Sequence, residues 1–252
     1  MAYPDCDVSC LIAYSHGGVY DYDFMNFFIR FIDSGDVVLD VGANIGAYTL
    51  LFARCASRGR VVAFEPAPTA FARLSENVGR NRLEARVRLV NKAVGDEAGS
   101  LRFSIGDKSS THHVAVDRDN PPEKTMEVLC TTLSDEATLQ SIDRCDFIKI
   151  DVEGYEECVI VGGQAFIQRT SPKAILFEAN GRSLDYGSTL EHAFEILGAL
   201  GYRIGFYIHG RNTIRLITGT VPAISPEGNY LAFSRHFLEQ IGDSCSVLNG
   251  IY

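Results

Sequence analysis

The sequence is short of positive charge and contains no tryptophan. Its 23 Lys and Arg stand against 32 Asp and Glu, a formal net charge of −9. A polynucleotide binder must neutralise phosphates with clustered basic side chains, so this balance argues against a nucleic-acid partner. No apolar run approaches the roughly 18–20 residues that a membrane span needs. The first residues, Met1-Ala-Tyr-Pro-Asp-Cys-Asp7, are acidic where a secretory signal is basic. Seven cysteines are scattered from Cys6 to Cys245 without a Cys-x-x-Cys pair, which fits neither a disulfide framework nor a zinc pattern. A reduced, cytoplasmic protein is the expectation. The chain also lacks internal repeats, Pro-rich linkers and charge blocks. What it has is apolar substance: 46% hydrophobic residues, with 15 Phe and 11 Tyr, enough for a large core and too much for a disordered chain.

At about 150 residues per domain, 252 residues allow one domain or two. Phe24, Phe27, Phe28 and Phe31 recur at helical spacing within residues 21–33. Val37–Val41 is then a short, continuous apolar run suited to a strand buried on both faces. Glycines follow, and Tyr48–Arg54 reads as a helix. The alternation repeats: strands at Val61–Glu65, Val87–Val90, Phe147–Asp151 and Ala174–Glu178, helices at 68–80 and about 155–168. A further helix is expected from a capping box, Ser188-x-x-Glu191, with Leu190, Phe194 and Leu197 along one face. Tyr202–Ile208 and Tyr230–Ser234 complete the strands. This pattern predicts an α/β fold, a mostly parallel sheet with helices on both faces. Residues 93–131 break the rhythm with three short strand candidates (101–105, 114–116, 126–129). They read as a small β-rich insertion over one end of the sheet. The expected organisation is one domain over 1–252, with 1–35 as a helical lead-in.

Open α/β sheets bind ligands at the carboxyl ends of their strands, which turns the strand assignment into a site assignment. Those ends carry Asp40 with Gly42-Ala-Asn-Ile-Gly46, then Glu65, Asn91, Asp151 with Glu153, and Glu178 with Asn180. Each alone is explained by a solvated loop or a helix cap; five together are harder to dismiss. A dinucleotide fingerprint requires Gly-x-Gly-x-x-Gly so that pyrophosphate can approach a helix N-terminus. Here Asn44 replaces the middle glycine and Asp40 precedes the loop. A carboxylate there disfavours pyrophosphate and suits a ligand with ammonium and sulfonium charges. Glu65 lies 19 residues after Gly46, fit to pair with ribose hydroxyls, although dehydrogenases also place an acid there. The loop favours S-adenosylmethionine over NAD.

Four segments, in order, resemble the FkbM family of S-adenosylmethionine-dependent methyltransferases. They are Leu39-Asp-Val-Gly-Ala-Asn-Ile-Gly-Ala-Tyr-Thr-Leu50, Phe64-Glu-Pro66, Asn91-Lys-Ala-Val-Gly-Asp96 and Ile148-Lys-Ile-Asp-Val-Glu-Gly-Tyr-Glu156. Thr131–Asp135 and Asn229–Ser234 are similar to later parts of the family pattern, and Tyr20-Asp21 stands where the family commonly has Tyr-Glu. The resemblance implies a class I, Rossmann-like fold with seven strands, the last antiparallel, and O-methylation of a hydroxyl on a sugar, natural product or other small molecule. It implies that Asp40, Gly42, Ala43, Asn44 and Gly46 hold the methionine moiety. Glu65 and Pro66 would lie at the ribose, and Asn91 to Ala93 at the adenine edge. Asp151 and Glu153 would face the transferred methyl.

An alkyl hydroxyl is a weak nucleophile and needs a base or a metal. Asp151 is the first base expected. His112 and His113, in the insertion, point to opposite faces of an extended segment, so one of them, His113 for preference, is a further base or substrate contact. Asp151, Glu178 and Asn180 with open water positions would suit Mg2+, but Glu178-x-Asn180 departs from the adjacent Asp-Asn pair of catechol-type O-methyltransferases. His16-Gly-Gly18 reads either as a cofactor lid or as a simple turn. Asp119-Asn-Pro-Pro-Glu123 resembles the Asn-Pro-Pro-Tyr of nucleic-acid amino-methyltransferases but lacks the stacking aromatic, and reads as a loop. Two other classes stay open: an NAD-dependent oxidoreductase and a non-catalytic cofactor-binding regulatory protein. Acceptor identity and oligomeric state are not written in the sequence.

Overall fold

The computed structural model describes residues 22–104, 113–115, 125–179, 181–187, 189–218, 228–242 and 244–250. His16, Tyr20, Asp21, His112, Asn180 and the Asp119–Glu123 stretch lie outside them.

The chain alternates strands and helices. It runs α1 (Tyr22–Phe31), β1 (Val37–Val41), α2 (Ala47–Cys55), β2 (Arg60–Phe64), α3 (Pro68–Arg80) and β3 (Val87–Val90). Short strands follow: β4 (Ala93–Val94), β5 (Gly99–Ser104), β6 (His113–Val114) and β7 (Thr125–Thr131). Then come α4 (Leu133–Leu139), β8 (Phe147–Ile150), α5 (Glu156–Thr170), β9 (Ala174–Ala179), a 3₁₀ turn at Gly181–Tyr186 and α6 (Leu190–Ala199). The chain continues through β10 (Tyr202–Ile208), β11 (Thr213–Ile217), β12 (Gly228–Ser234), α7 (Arg235–Ile241) and β13 (Ser246–Gly250).

The large sheet has the order β13-β11-β10-β12-β9-β8-β1-β2-β3. From β9 through β3 every pairing is parallel, and β12 is antiparallel to both β9 and β10. The central strands are mostly apolar because both faces are covered, with Asp40, Lys149 and Glu178 as the exceptions in β1, β8 and β9. On one face Val38, Ala63 and Phe147 pack with Phe27 and Phe28 of α1, Leu50 and Phe52 of α2, Leu74 of α3 and Phe237 of α7. On the other, Leu39, Val62, Ile148 and Ile175 pack with Ala137 of α4, Val159 and Ile167 of α5 and Leu197 of α6. Phe27 alone meets six aromatic rings within 6.2 Å, two in α1 and one each in β8, β10, β12 and α7. The phenylalanine stripe read from the sequence is thus a core stripe. The strands of the 93–131 interval form a separate four-stranded sheet, β4-β7-β5-β6.

Two expectations need correction. The large sheet has nine strands where the resemblance implied seven, because β11 and β13, at which the sequence pattern gave no strand, extend the β10 edge. β11 carries Thr213 and Arg215 within its five residues, and β13 pairs with a strand that lies before β12 and α7 in the chain. The start of α6 is capped by Thr189, whose hydroxyl accepts from His192 N at 3.1 Å, one residue later than the Ser188 box. The Thr189 N–H itself donates to Glu157 of α5 at 3.0 Å.

Candidate active site

At the carboxyl end of β1 the backbone turns sharply through Gly42 (φ 77°), Asn44 (φ 52°) and Gly46 (φ 100°). Positive φ favours glycine, and space demands it too. A Cβ on Gly42 would overlap the carbonyl oxygen of Asp151, and one on Gly46 would sit 2.7 Å from Leu74 Cδ1. The β1 loop therefore lies directly against the end of β8.

Asp40 is fully buried and accepts from the Thr49 hydroxyl of α2 at 2.5 Å. Its Oδ1 has no hydrogen-bond partner, and the buried Asn44 Oδ1 has none either. Burial dominates Asp40 and pushes its carboxyl above the usual range, against the opposing pull of Lys149. Glu65, at the end of β2, accepts from Asn44 N (2.9 Å) and Ala67 N (2.8 Å). Its burial outweighs those bonds and pushes its carboxyl up to about 7. Pro66 follows it. Asn91, after β3, donates to the carbonyls of Glu65 (2.7 Å) and Pro66 (3.1 Å), stapling the ends of β2 and β3 together. Ala43 and Ala93 are buried, Ala93 within the apolar cluster that includes Ala67 and Ala70.

Asp151 ends β8 with about a third of its side chain exposed. The turn after it passes through Glu153 (φ 59°) and Gly154 (φ 103°) before α5 begins. Glu178 lies in β9, in register with Asn229 of the antiparallel β12. Among the described residues no three His, Cys, Asp or Glu are grouped to hold a metal, and Asn180, the third donor of the suggested Mg2+ set, lies outside them. His113 sits in β6 of the small sheet, opposite Ser104. Next to it, Val114 O accepts from the Tyr186 hydroxyl at 2.7 Å, and the Tyr186 ring meets Tyr155 edge-on at 5.1 Å. These contacts tie the small sheet to the turn after β9 and to the start of α5.

Two residues of the site were missed in the sequence. Lys149 is register partner to Asp40 and almost fully buried. Its ammonium donates to Gly42 O (2.9 Å) and lies 3.2 Å from Asp151 Oδ2 and 3.6 Å from Asp40 Oδ1. The signal was available: a lysine inside Phe-Ile-Lys-Ile, a strand already assigned as buried on both faces, must have anionic partners. Glu156, the first residue of α5, accepts from Val152 N (2.9 Å) and Gly154 N (3.3 Å) through Oε1, while its buried Oε2 has no partner. Burial pushes its carboxyl up to about 8. In sequence it passes for an acid complementing a helix dipole.

The sheet order, with β12 inserted antiparallel between β9 and β10, and the acids gathered at the carboxyl ends of the parallel strands define a class I, Rossmann-like methyltransferase fold. Residues 40–204 match the methyltransferase FkbM domain, and the chain belongs to that family. It is 52% identical over 72 residues to a 31-O-demethyl-FK506 methyltransferase from Streptomyces tacrolimicus, covering 28% of this chain and 26% of that one. It is 30% identical over 152 residues to a 2-O-methyltransferase, NoeI, from Sinorhizobium fredii, covering 53% and 60%. The match to both thus spans less than two thirds of the relative's own length. The crystal structure of a methyltransferase FkbM from Methylobacillus flagellatus superimposes with a TM-score of 0.55 at 20% identity, over 89% of this chain and 51% of that one. No helix among the described residues is long and apolar enough to cross a membrane.

Proposed function

We propose that the chain binds S-adenosylmethionine at the ends of β1, β2 and β3 and methylates a hydroxyl of a small molecule, sugar or natural product. The observation that carries this reading is a pair of buried oxygens without a hydrogen bond: Asp40 Oδ1 in β1, 3.6 Å from the Lys149 ammonium, and Asn44 Oδ1 on the left-handed loop that follows. Buried acceptors without partners are costly. A ligand that brings an ammonium group and a positive sulfur supplies what they lack, whereas the pyrophosphate of NAD would meet a carboxylate. Gly42, Ala43 and Gly46 let the ligand approach the backbone. Glu65 still has acceptor capacity on both oxygens for ribose hydroxyls, with Pro66, Asn91 and Ala93 beside it at the base.

When bound, the cofactor supplies an electrophilic methyl group on sulfur. The protein's own task is to align an acceptor oxygen and remove its proton. Asp151, exposed at the end of β8, is the base in this reading; Glu153 and His113 are acceptor contacts on either side. The small sheet, fastened by Tyr186 to the turn after β9, covers the acceptor side. The two relatives named for O-methyl chemistry, one for 31-O-demethyl-FK506 and one designated 2-O, support a hydroxyl acceptor.

Calorimetric titration with S-adenosylhomocysteine and, separately, with NAD tests the cofactor. Binding of the first and not the second is expected, and the reverse would overturn the reading. A protein that binds S-adenosylhomocysteine yet methylates nothing across a broad panel of sugar and polyketide hydroxyls would instead be a binding or regulatory protein.

A further inference from the structure

Lys149 is the one buried cation among the described acids at this end of the sheet. It comes from the centre of the central strand β8, and its face is fixed by register with Asp40, so the ammonium cannot leave without unpacking the core. Three oxygens from three different places converge on it: Gly42 O at 2.9 Å, Asp151 Oδ2 at 3.2 Å and Asp40 Oδ1 at 3.6 Å. The Tyr48 ring lies beneath, 5.5 Å from the nitrogen to its centre. Two carboxylates and a carbonyl are the hard oxygen donors that a divalent cation would choose. Here the same donors surround a covalently tethered monovalent cation.

We propose that Lys149 is the resident cation of the acceptor site and makes Asp151 a metal-independent group. It is a positioning residue. One oxygen of Asp151 is held towards β1 by the ammonium, which fixes the carboxylate's orientation. The Gly42 carbonyl bond couples that orientation to the cofactor loop. A divalent ion bonding to the same carboxylate at about 2.0–2.6 Å would stand almost in contact with the ammonium, and the two cations would repel at close range. The inference rests on the reading of Asp151 as the group facing the acceptor.

Mn2+ serves as the probe, followed by electron paramagnetic resonance, with no acceptor needed. In the wild-type protein, Asp151→Asn is expected to leave Mn2+ binding unchanged, because Asp151 holds no metal. Lys149→Gln, which keeps an N–H for Gly42 O but loses the charge, is expected to bind Mn2+ at least about tenfold more tightly, the scale of one removed close charge. That gain should vanish in the Lys149→Gln, Asp151→Asn double variant. Wild-type Mn2+ binding that Asp151→Asn abolishes would overturn the proposal, as would a folded Lys149→Gln protein that gains no affinity. If Lys149→Gln does not fold, the wild-type and Asp151→Asn comparison decides alone. Titration with S-adenosylhomocysteine is run on the same samples. Failure there counts against the cofactor reading, while the Mn2+ result still judges the role of Lys149.

Discussion

The two ends of the central strands carry polar clusters of similar make-up and opposite finish. At the amino ends, Asp36 and Asp146 are buried beside Lys173 and Arg144. Asp36 accepts from Asp33 N, from Lys173 Nζ through both oxygens at 2.9 and 3.1 Å, and from Arg144 at 3.1 Å. Asp146 accepts from Val37 N at 2.9 Å and from Arg144 at 2.8 and 3.1 Å. No buried oxygen of this cluster lacks a partner. At the carboxyl ends the Lys149 ammonium stands between Asp40 and Asp151, and Asp40 Oδ1, Asn44 Oδ1 and Glu156 Oε2 have no hydrogen bond. A completed network holds strands in place. An incomplete one, kept in spite of its cost, marks where a ligand finishes the job.

Breaking that contrast gives a graded series. The largest effect belongs to Gly42→Ala, which combines a φ of 77° with overlap of the Asp151 carbonyl. Both thermal stability and S-adenosylhomocysteine binding should collapse, seen together by melting and calorimetry. Asp36→Ala comes next and should separate the two ends. Leaving Lys173 with the exposed Asp33 should cost about 3 kcal/mol in urea unfolding, while binding measured at a permissive temperature stays within the wild-type range. Asp40→Asn should show the opposite pattern. Binding of S-adenosylhomocysteine weakens by about 10–100-fold, the worth of a charge-assisted hydrogen bond, and the urea midpoint moves far less than for Asp36→Ala.

Glu156→Gln gives the smallest effect and sharpens the contrast through pH. The folded carboxyl is raised to about 8 from an ordinary 4.5. Between those values the folded protein holds a proton that the unfolded chain has released, so wild-type stability falls as pH rises through this window. Glutamine does not titrate and keeps an acceptor for Val152 N and Gly154 N. The melting temperature of the variant relative to wild type should therefore climb between pH 5 and 9, and a flat difference would contradict the assignment. Arg144→Ala, by comparison, removes a mostly exposed partner and should cost no more than about 1 kcal/mol.

The fold was legible wherever a segment's burial is decided locally. Val37–Val41, Phe147–Ile150 and Ala174–Ala179 are continuous apolar runs because both their faces are covered, and their sequence declares it. α3 was read over its observed range, 68–80, from one apolar face. β11 and β13 were not legible. Thr213–Ile217 contains an arginine and Ser246–Gly250 mixes polar with apolar residues; β11 is held by β10 and β13, and β13 by β11. The same division runs through the site. Asp40, Gly42, Gly46 and Glu65 could be placed at strand ends because a tight loop after a buried strand has a sequence signature. Asn91 was placed correctly at a strand end, but its amide turned out to bind backbone carbonyls of the neighbouring strand end.

By itself, the sequence determined the alternating architecture, the strand ends where chemistry could gather and the family. Each of these follows from residues near one another in the chain. Tertiary structure alone decided which charges meet. Lys149 faces Asp40 because β8 and β1 pair in one register, and Glu156 caps the turn carrying Asp151 and Glu153 because α5 starts immediately after it. Electrostatic partnership depends on a few ångströms across strands more than a hundred residues apart, a distance that no local pattern records.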